Sequence, residues 1–151
     1  MIAITMTTNG TITALLHHKG SQVWTISGKA TVYEAIELLA EKNIGALPVM
    51  DGDRPIGMFS ERDYTRKVAL QGRSSRATPV REIISTPLLS VTSQHTIEDG
   101  MRLMTGKHIR HLPVIDGGKI VGLVSIGDMV NWIISAQSAT IDQMQSYLAG
   151  R

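Results

Sequence analysis

Two serine–aspartate pairs of identical spacing, Ser60-x-x-Asp63 and Ser125-x-x-Asp128, are the residues of this chain best suited to hold a ligand. An aspartate can accept both vicinal hydroxyls of a ribose, as an acidic residue does in dinucleotide-binding folds. A serine at the start of a helix offers a hydroxyl beside unpaired backbone N–H groups, which suits a phosphate. Gly57 and Gly122 precede the two pairs and would let a flat base approach the backbone. The same residues also read as plain helix starts, with serine as cap and aspartate in the first turn against the helix dipole. The two roles are compatible, because a capped helix start can still face a ligand.

Around the pairs the two sites differ. Arg110, followed by His111, supplies a fork of donors for phosphate oxygens, whereas the first site has Gly45-Ala46 there. Arg62 lies within the first pair, and Gly127 takes its place in the second. A solvated surface cation is the simpler account of Arg110. Adenine needs an apolar slot with backbone hydrogen-bonding groups. By position the candidates are Thr25 to Ser27 and Ser90 to Thr92, with Ile44 and Ile109 as lining; core packing accounts for the same residue types.

Other chemistries find little support. The chain has no cysteine, which excludes disulfides, thiolate nucleophiles and cysteine-ligated metals. His17, His18, His95, His108 and His111 show no metal-ligand spacing, so no metal is expected. No nucleophile–base pair and no carboxylate cluster stands out. Trp24 and Trp132 read as packing or dimer contacts rather than stacking platforms.

The elements that must position these residues occur twice. An offset of 65 residues, Thr31 onto Thr96, aligns 31–68 with 96–133 without a gap. Leu47-Pro48-Val49 meets Leu112-Pro113-Val114, Asp51-Gly52 meets Asp116-Gly117, and Gly57, Ser60 and Asp63 meet Gly122, Ser125 and Asp128. Each copy opens on a threonine with an acid three residues on, Thr31/Glu34 and Thr96/Asp99, a helix N-terminus signature. Val32, Ala35, Ile36 and Leu39, and then Ile97, Met101 and Met104, follow helical spacing. Strands are predicted at 46–50 and 55–59, and at 111–115 and 120–124, each pair joined by an Asp-Gly turn. Helices then begin near Ser60 and Ser125. A short helix at 78–84 and a strand at 88–91 precede the second copy; their counterparts are 11–16 and 23–26.

The expected class is α+β (α/β), two α-β-α-β-β-α domains about a pseudo-twofold axis. Domain one is 1–72 with the N-terminal helix and strand, domain two is 73–138, and 139–151 is a separate C-terminal helix. One half alone would bury only a marginal core. Composition agrees with a globular interior, 42% hydrophobic with few aromatics, and a net charge of +2. No apolar run spans a bilayer and residues 1–16 make a poor signal peptide, so a soluble, cytoplasmic protein is expected.

The doubled LPV-x-D-G and G-x-x-S-x-x-D, in the order strand–strand–helix, closely resemble a tandem pair of CBS domains, a Bateman module. The resemblance covers roughly 11–136, and the stretches around Ser60–Val68 and Arg110–Asp128 are similar to small stand-alone bacterial CBS-pair proteins. It implies a regulatory module that binds AMP, ADP, ATP, NAD(H) or S-adenosylmethionine between its two domains and performs no reaction. Carried onto this chain, it implies ribose binding by Asp63 and Asp128 and phosphate contact by Ser60, Ser125 and the Arg110-His111 position. The second site is then the tighter. It also implies a disc-like homodimer, with apolar faces near Tyr64, Val68, Met129, Ile133 and the C-terminal segment to cover, and an effector protein to read the change. Two other functions remain open. One is nucleic-acid binding by the basic stretch Arg62, Arg66, Lys67, Arg73, Arg76 and Arg81, which lacks interleaved aromatics; the other is nucleotide hydrolysis.

Overall fold

A computed structural model of the chain describes residues 10–149. The helices are α1 (Ile12–Lys19), α2 (Val32–Lys42), α3 (Glu61–Asp63), α4 (Ile97–Lys107) and α5 (Ile126–Leu148). The strands are β1 (Ile26–Ser27), β2 (Ala46–Asp51), β3 (Arg54–Ser60), β4 (His111–Asp116) and β5 (Lys119–Ser125). β2 pairs antiparallel with β3 and parallel with β1, while β4 pairs with β5. Pro48 is tolerated in mid-strand because β1 meets β2 only at Val49 and Met50.

The duplication holds at the level of single dihedral angles. Thr31 and Thr96 cap α2 and α4, each accepting from the N–H three residues on. The helices end on left-handed residues at matching positions, Asn43 (φ 53°) and His108 (φ 54°). Asn tolerates that region, and in both copies the chain must reverse there into a strand. Ile44 and Ile109 then donate back to Leu39 and Met104, both at 3.0 Å. Gly52 and Gly117 carry the hairpin turns at φ 60° and 57°.

The chain divides into two compact units, and they do not follow the expected boundary at 72/73. One unit is Gln22–Ser90 with Ile115–Val121; the other joins the segment ending at Ser21 to Val91–Val114 and to the segment from Gly122 on. Each copy is completed by the short segment that was expected to accompany the other. Beside α2, Val32 donates to Thr78 and Val80 donates to Ala30. Beside α4, Ile97 donates to Gly10 and Ile12 donates to His95. In the first unit Val32, Ala35, Leu39, Leu47, Val49, Phe59 and Val68 pack with Val80 and Ile83. In the second, Ile12, Leu15 and Leu16 are buried along with Ile97, Met104, Leu112, Val114, Val124 and Met129.

Several expectations change. The helix expected at 78–84 is one 3-10 turn, Val80–Glu82, and the strand expected at 88–91 reduces to an isolated parallel bridge, Val91 with Val114. The helix after Ser60 passes at once into a π-helical turn, Tyr64–Ala69. The C-terminal helix is not separate: α5 runs unbroken to Leu148, because no glycine or proline stands between Asp128 and Ala149. Val68 and Met129, expected on a dimer face, are buried in the cores of their own units.

Gly57 and Gly122 do the work of close packing. A Cβ on Gly57 would lie 2.8 Å from Ile84 Cδ1, and one on Gly122 would lie 2.6 Å from Leu16 Cδ2. Gly57→Ala should therefore cost about 1–3 kcal/mol in urea unfolding. The cost should shrink when Ile84→Ala is added; strictly additive losses would show that the Ile84 contact is not the cause.

Candidate functional site

Ser125 ends β5 in extended conformation and caps α5. Its Oγ accepts from the Asp128 N–H at 3.1 Å, and its own N–H donates to Asp128 Oδ2 at 2.8 Å. This reciprocal box follows from a Ser-x-x-Asp at the strand-to-helix junction and fixes the carboxylate beside the helix N-terminus. The Ile126 N–H donates to the Arg110 carbonyl at 2.9 Å, so the residue ahead of β4 is bound to the first turn of α5. Arg110, Ser125 and Asp128 thus come together, with an exposed Arg110 side chain and a half-buried Ile109 next to it. His111, half-buried, follows in β4.

The sequence did not point to Lys19. From the last residue of α1 its Nζ reaches Asp128 Oδ2 at 2.5 Å and donates to the Leu123 carbonyl at 2.6 Å. Lys19, Arg110 and Asp128 all lie close enough to act electrostatically on His111, so the four residues form one charged cluster. Burial holds the His111 pKa below its ordinary 6.5; Asp128 opposes this, while Lys19 and Arg110 push the same way as burial. Asp128 Oδ1 accepts nothing from the described residues.

The first copy repeats the backbone and differs in its side chains. Ser60 and Asp63 form the same box, and the Glu61 N–H donates to the Gly45 carbonyl at 3.1 Å. Both oxygens of Asp63 are engaged. Oδ2 accepts from the Ser60 N–H at 2.9 Å and its Oγ at 3.0 Å; Oδ1 accepts from Ser85 Oγ and meets Lys67 Nζ, both at 3.2 Å. The side chain of Asp63 is 12% exposed and that of Asp128 is 23% exposed.

The other predicted residues scatter. Thr25, Ser27, Arg62 and Ser90 are exposed, and Ile44 is half-buried. Ser27 Oγ accepts from the Lys29 N–H. Thr92 is tied to His95, its N–H donating to Nδ1 at 2.8 Å. Thr92 belongs to the unit of Asp128 and Ser90 to the unit of Asp63. The space above Gly57 and Gly122, expected to admit a base, is filled by Ile84 and Leu16. Trp132 meets His18 edge-on at 6.2 Å, and Lys42 lies over Trp24 at 4.1 Å. In the basic stretch Lys67 pairs with Asp63, Arg73 with Glu82, and Arg76 stacks on Tyr33. An open depression of about 550 Å³ lies there, lined by Arg66, Lys67, Gln71, Arg73, Glu82 and Ile83.

Comparison with known proteins agrees with the duplication. The family model described as CBS domain matches twice, at residues 20–70 and 80–135. The chain is 37% identical over 136 residues to the CBS domain-containing protein CBSX3, mitochondrial, of Arabidopsis thaliana, covering 87% of this chain and 66% of that protein, just under two thirds of its length. It is 38% identical over 119 residues to the CBS domain-containing protein YhcV of Bacillus subtilis, covering 79% of this chain and 84% of that one. Among solved structures, a protein with CBS domains from Burkholderia ambifaria superposes with a TM-score of 0.80 at 47% identity, covering 84% of this chain and 96% of that one.

The lowered pKa of His111 has a defined consequence. As pH falls through 6.5 the unfolded chain takes up a proton that the folded chain resists, so stability drops between 6.5 and the lower folded pKa. The slope is at most about 1.4 kcal/mol per pH unit. His111→Ala, which copies Ala46 of the first unit, should flatten this part of a urea-midpoint profile between pH 7.5 and 5. An unchanged slope would assign the pH dependence to other groups.

Proposed function

The chain belongs to the CBS-domain family, as a tandem pair of such domains, and we propose that it is a regulatory module that binds an adenine nucleotide, AMP foremost, at the Ser125–Asp128 box. CBS pairs are regulatory ligand-binding modules. The observation that carries the reading is the open Oδ1 of Asp128 at a capped helix start, with Arg110 bound to the same first turn. A ribose finds a carboxylate acceptor there, and a phosphate finds the positive end of α5 and a guanidinium. Ile109 offers apolar surface for the base. ADP, ATP, NAD and S-adenosylmethionine share the adenosine part and differ in what they bring to Arg110.

Asp63 is the weaker site on this reading. A ribose there must displace Ser85 and Lys67, and Gly45 brings no phosphate donor. No reaction on the ligand is proposed. Ser60 and Ser125 spend their hydroxyls on capping, and the Ser60 hydroxyl also donates to Asp63, the carboxylate of its own box. Ligand binding signals by shifting the conformational balance read by an effector protein, in the cytoplasm. Among the described residues no helix is long and apolar enough to cross a membrane.

Titration by calorimetry tests the ranking. Asp128→Ala should weaken AMP binding roughly tenfold to a hundredfold, the loss of charged hydrogen bonds. Asp128→Asn, which can still accept at the cap, should lose nearly as much, and Asp63→Ala should change little at the first binding event. Failure of wild-type protein to bind any adenine ligand would end this reading.

A homodimer is also proposed, and α5 supplies its support. Val130, Ile134, Ile141 and Leu148 are 41%, 55%, 54% and 82% exposed. Ile134, Ile141 and Leu148 recur every seven residues, and Val130 precedes Ile134 by four. This is the spacing of a helix–helix seam. Ile141→Glu should shift sedimentation at micromolar concentration from dimer to monomer, leaving the folded unit intact by circular dichroism. A wild-type monomer would count against the dimer.

A further inference from the structure

We propose that Lys19 is a ligand-contacting residue of the Asp128 site and makes that site select a nucleotide over its nucleoside. This rests on the adenine-nucleotide reading and adds to it a residue outside the duplicated motifs, on a helix that precedes both.

Lys19 is more than a surface ion pair by its placement. Its ammonium has three donors and spends two, on Asp128 Oδ2 at 2.5 Å and on the Leu123 carbonyl at 2.6 Å. Asp128 Oδ2 also accepts the Ser125 N–H at 2.8 Å. That oxygen is therefore full, and only Oδ1 is open. A single hydroxyl can bind at Oδ1, but a vicinal diol that uses both oxygens needs the place Lys19 occupies. The ammonium must move for the diol to enter.

Where it goes depends on the ligand. Lys19 is held to the fold by α1, whose Ile12, Leu15 and Leu16 are buried, so the ammonium swings on a four-carbon stem and stays within the cluster. A nucleoside displaces it from its carboxylate and offers no anion in return. A nucleotide brings a phosphate to the α5 N-terminus and Arg110, and that phosphate is a partner for the displaced ammonium. The cluster's charges agree. Lys19 and Arg110 carry two positive charges against one on Asp128, so the empty site has a positive excess that suits an anionic ligand.

The first copy supplies an internal contrast. Lys67 also pairs with its aspartate, but it is bound in addition to Ser85 Oγ and the Ile83 carbonyl, and Gly45 replaces Arg110. Lys67 is the more exposed lysine, 42% against 33% for Lys19, and it has a glycine where the second copy has Arg110.

The test is calorimetric titration of the full chain with AMP and with adenosine, for wild type, Lys19→Met, Lys19→Arg and Asp128→Asn. Wild type should prefer AMP. Lys19→Met should weaken AMP roughly tenfold or more while adenosine binds as before or more tightly, so that the AMP-to-adenosine ratio collapses. Lys19→Arg should restore most of the ratio. Lys19→Met with the wild-type ratio would overturn the proposal and leave the nucleotide reading standing, provided Asp128→Asn still weakens AMP. No adenine binding by wild type, or full AMP affinity in Asp128→Asn, would overturn the reading and the proposal together. A misfolded Lys19→Met would show in its thermal midpoint, and Lys19→Gln then serves in its place.

Discussion

Each half of this protein depends on one capped helix start. At Ser60 and Ser125 a strand ends, a serine satisfies a helix N–H, and an aspartate three residues on closes back onto the serine. A further helix N–H, from Glu61 or Ile126, takes the carbonyl of the residue ahead of the preceding hairpin. That bond welds the hairpin's entry to its exit. The burial order along β3 and β5 is then the same residue by residue, because both strands leave the same turn toward the same cap. A change at the serine or the aspartate acts on hairpin, helix and carboxylate at once. Folding and the proposed binding draw on the same residues, and a capped helix start is compatible with both.

The second constraint is steric. The middle of β3 and of β5 carries a glycine so that an apolar side chain can lie directly on the backbone, Ile84 in one unit and Leu16 in the other. Each glycine therefore selects the segment that completes its motif. For the first motif this segment follows in sequence, and for the second it lies at the beginning of the chain. The units are interleaved along the chain although the motifs are in tandem. Backbone bonds repeat the arrangement: Thr78 and Ala30 with Val32 and Val80, and Gly10 and His95 with Ile97 and Ile12.

This explains what could be read from the residues and what could not. The helices, the hairpins and both caps follow from patterns within a few positions, such as the threonine–acid starts, Asp-Gly turns and Ser-x-x-Asp. The tandem family assignment followed from the same repetition. The partner of each motif did not, because 11–16 and 78–84 are both short apolar segments and nothing local says which glycine each will cover. The π-helical turn at Tyr64–Ala69 was hidden as well, since its residues also fit an α-helix. α5 is one helix through the boundary expected at 138/139, because no glycine or proline there breaks it.

The candidate site was legible to the same extent. Asp128, Ser125 and Arg110 sit inside the repeat and are visible by comparing one copy with the other. Lys19, Lys67 and Ser85 decide which carboxylate is open, and two of them lie in the covering segments or just beyond them, outside the aligned register. Duplication reproduced the caps, the hairpin turns and the left-handed helix ends at Asn43 and His108, and the two aspartates are equivalent in the chain. They are not equivalent in charge. Asp63 is held at both oxygens, by Ser60, Ser85 and Lys67, whereas Asp128 is held by Lys19 and Ser125 at Oδ2 alone among the described residues. Side chains beside the covering segments, Lys19 and Ser85, together with Lys67 and Arg110 inside the repeat, set how the two equivalent aspartates differ in their partners.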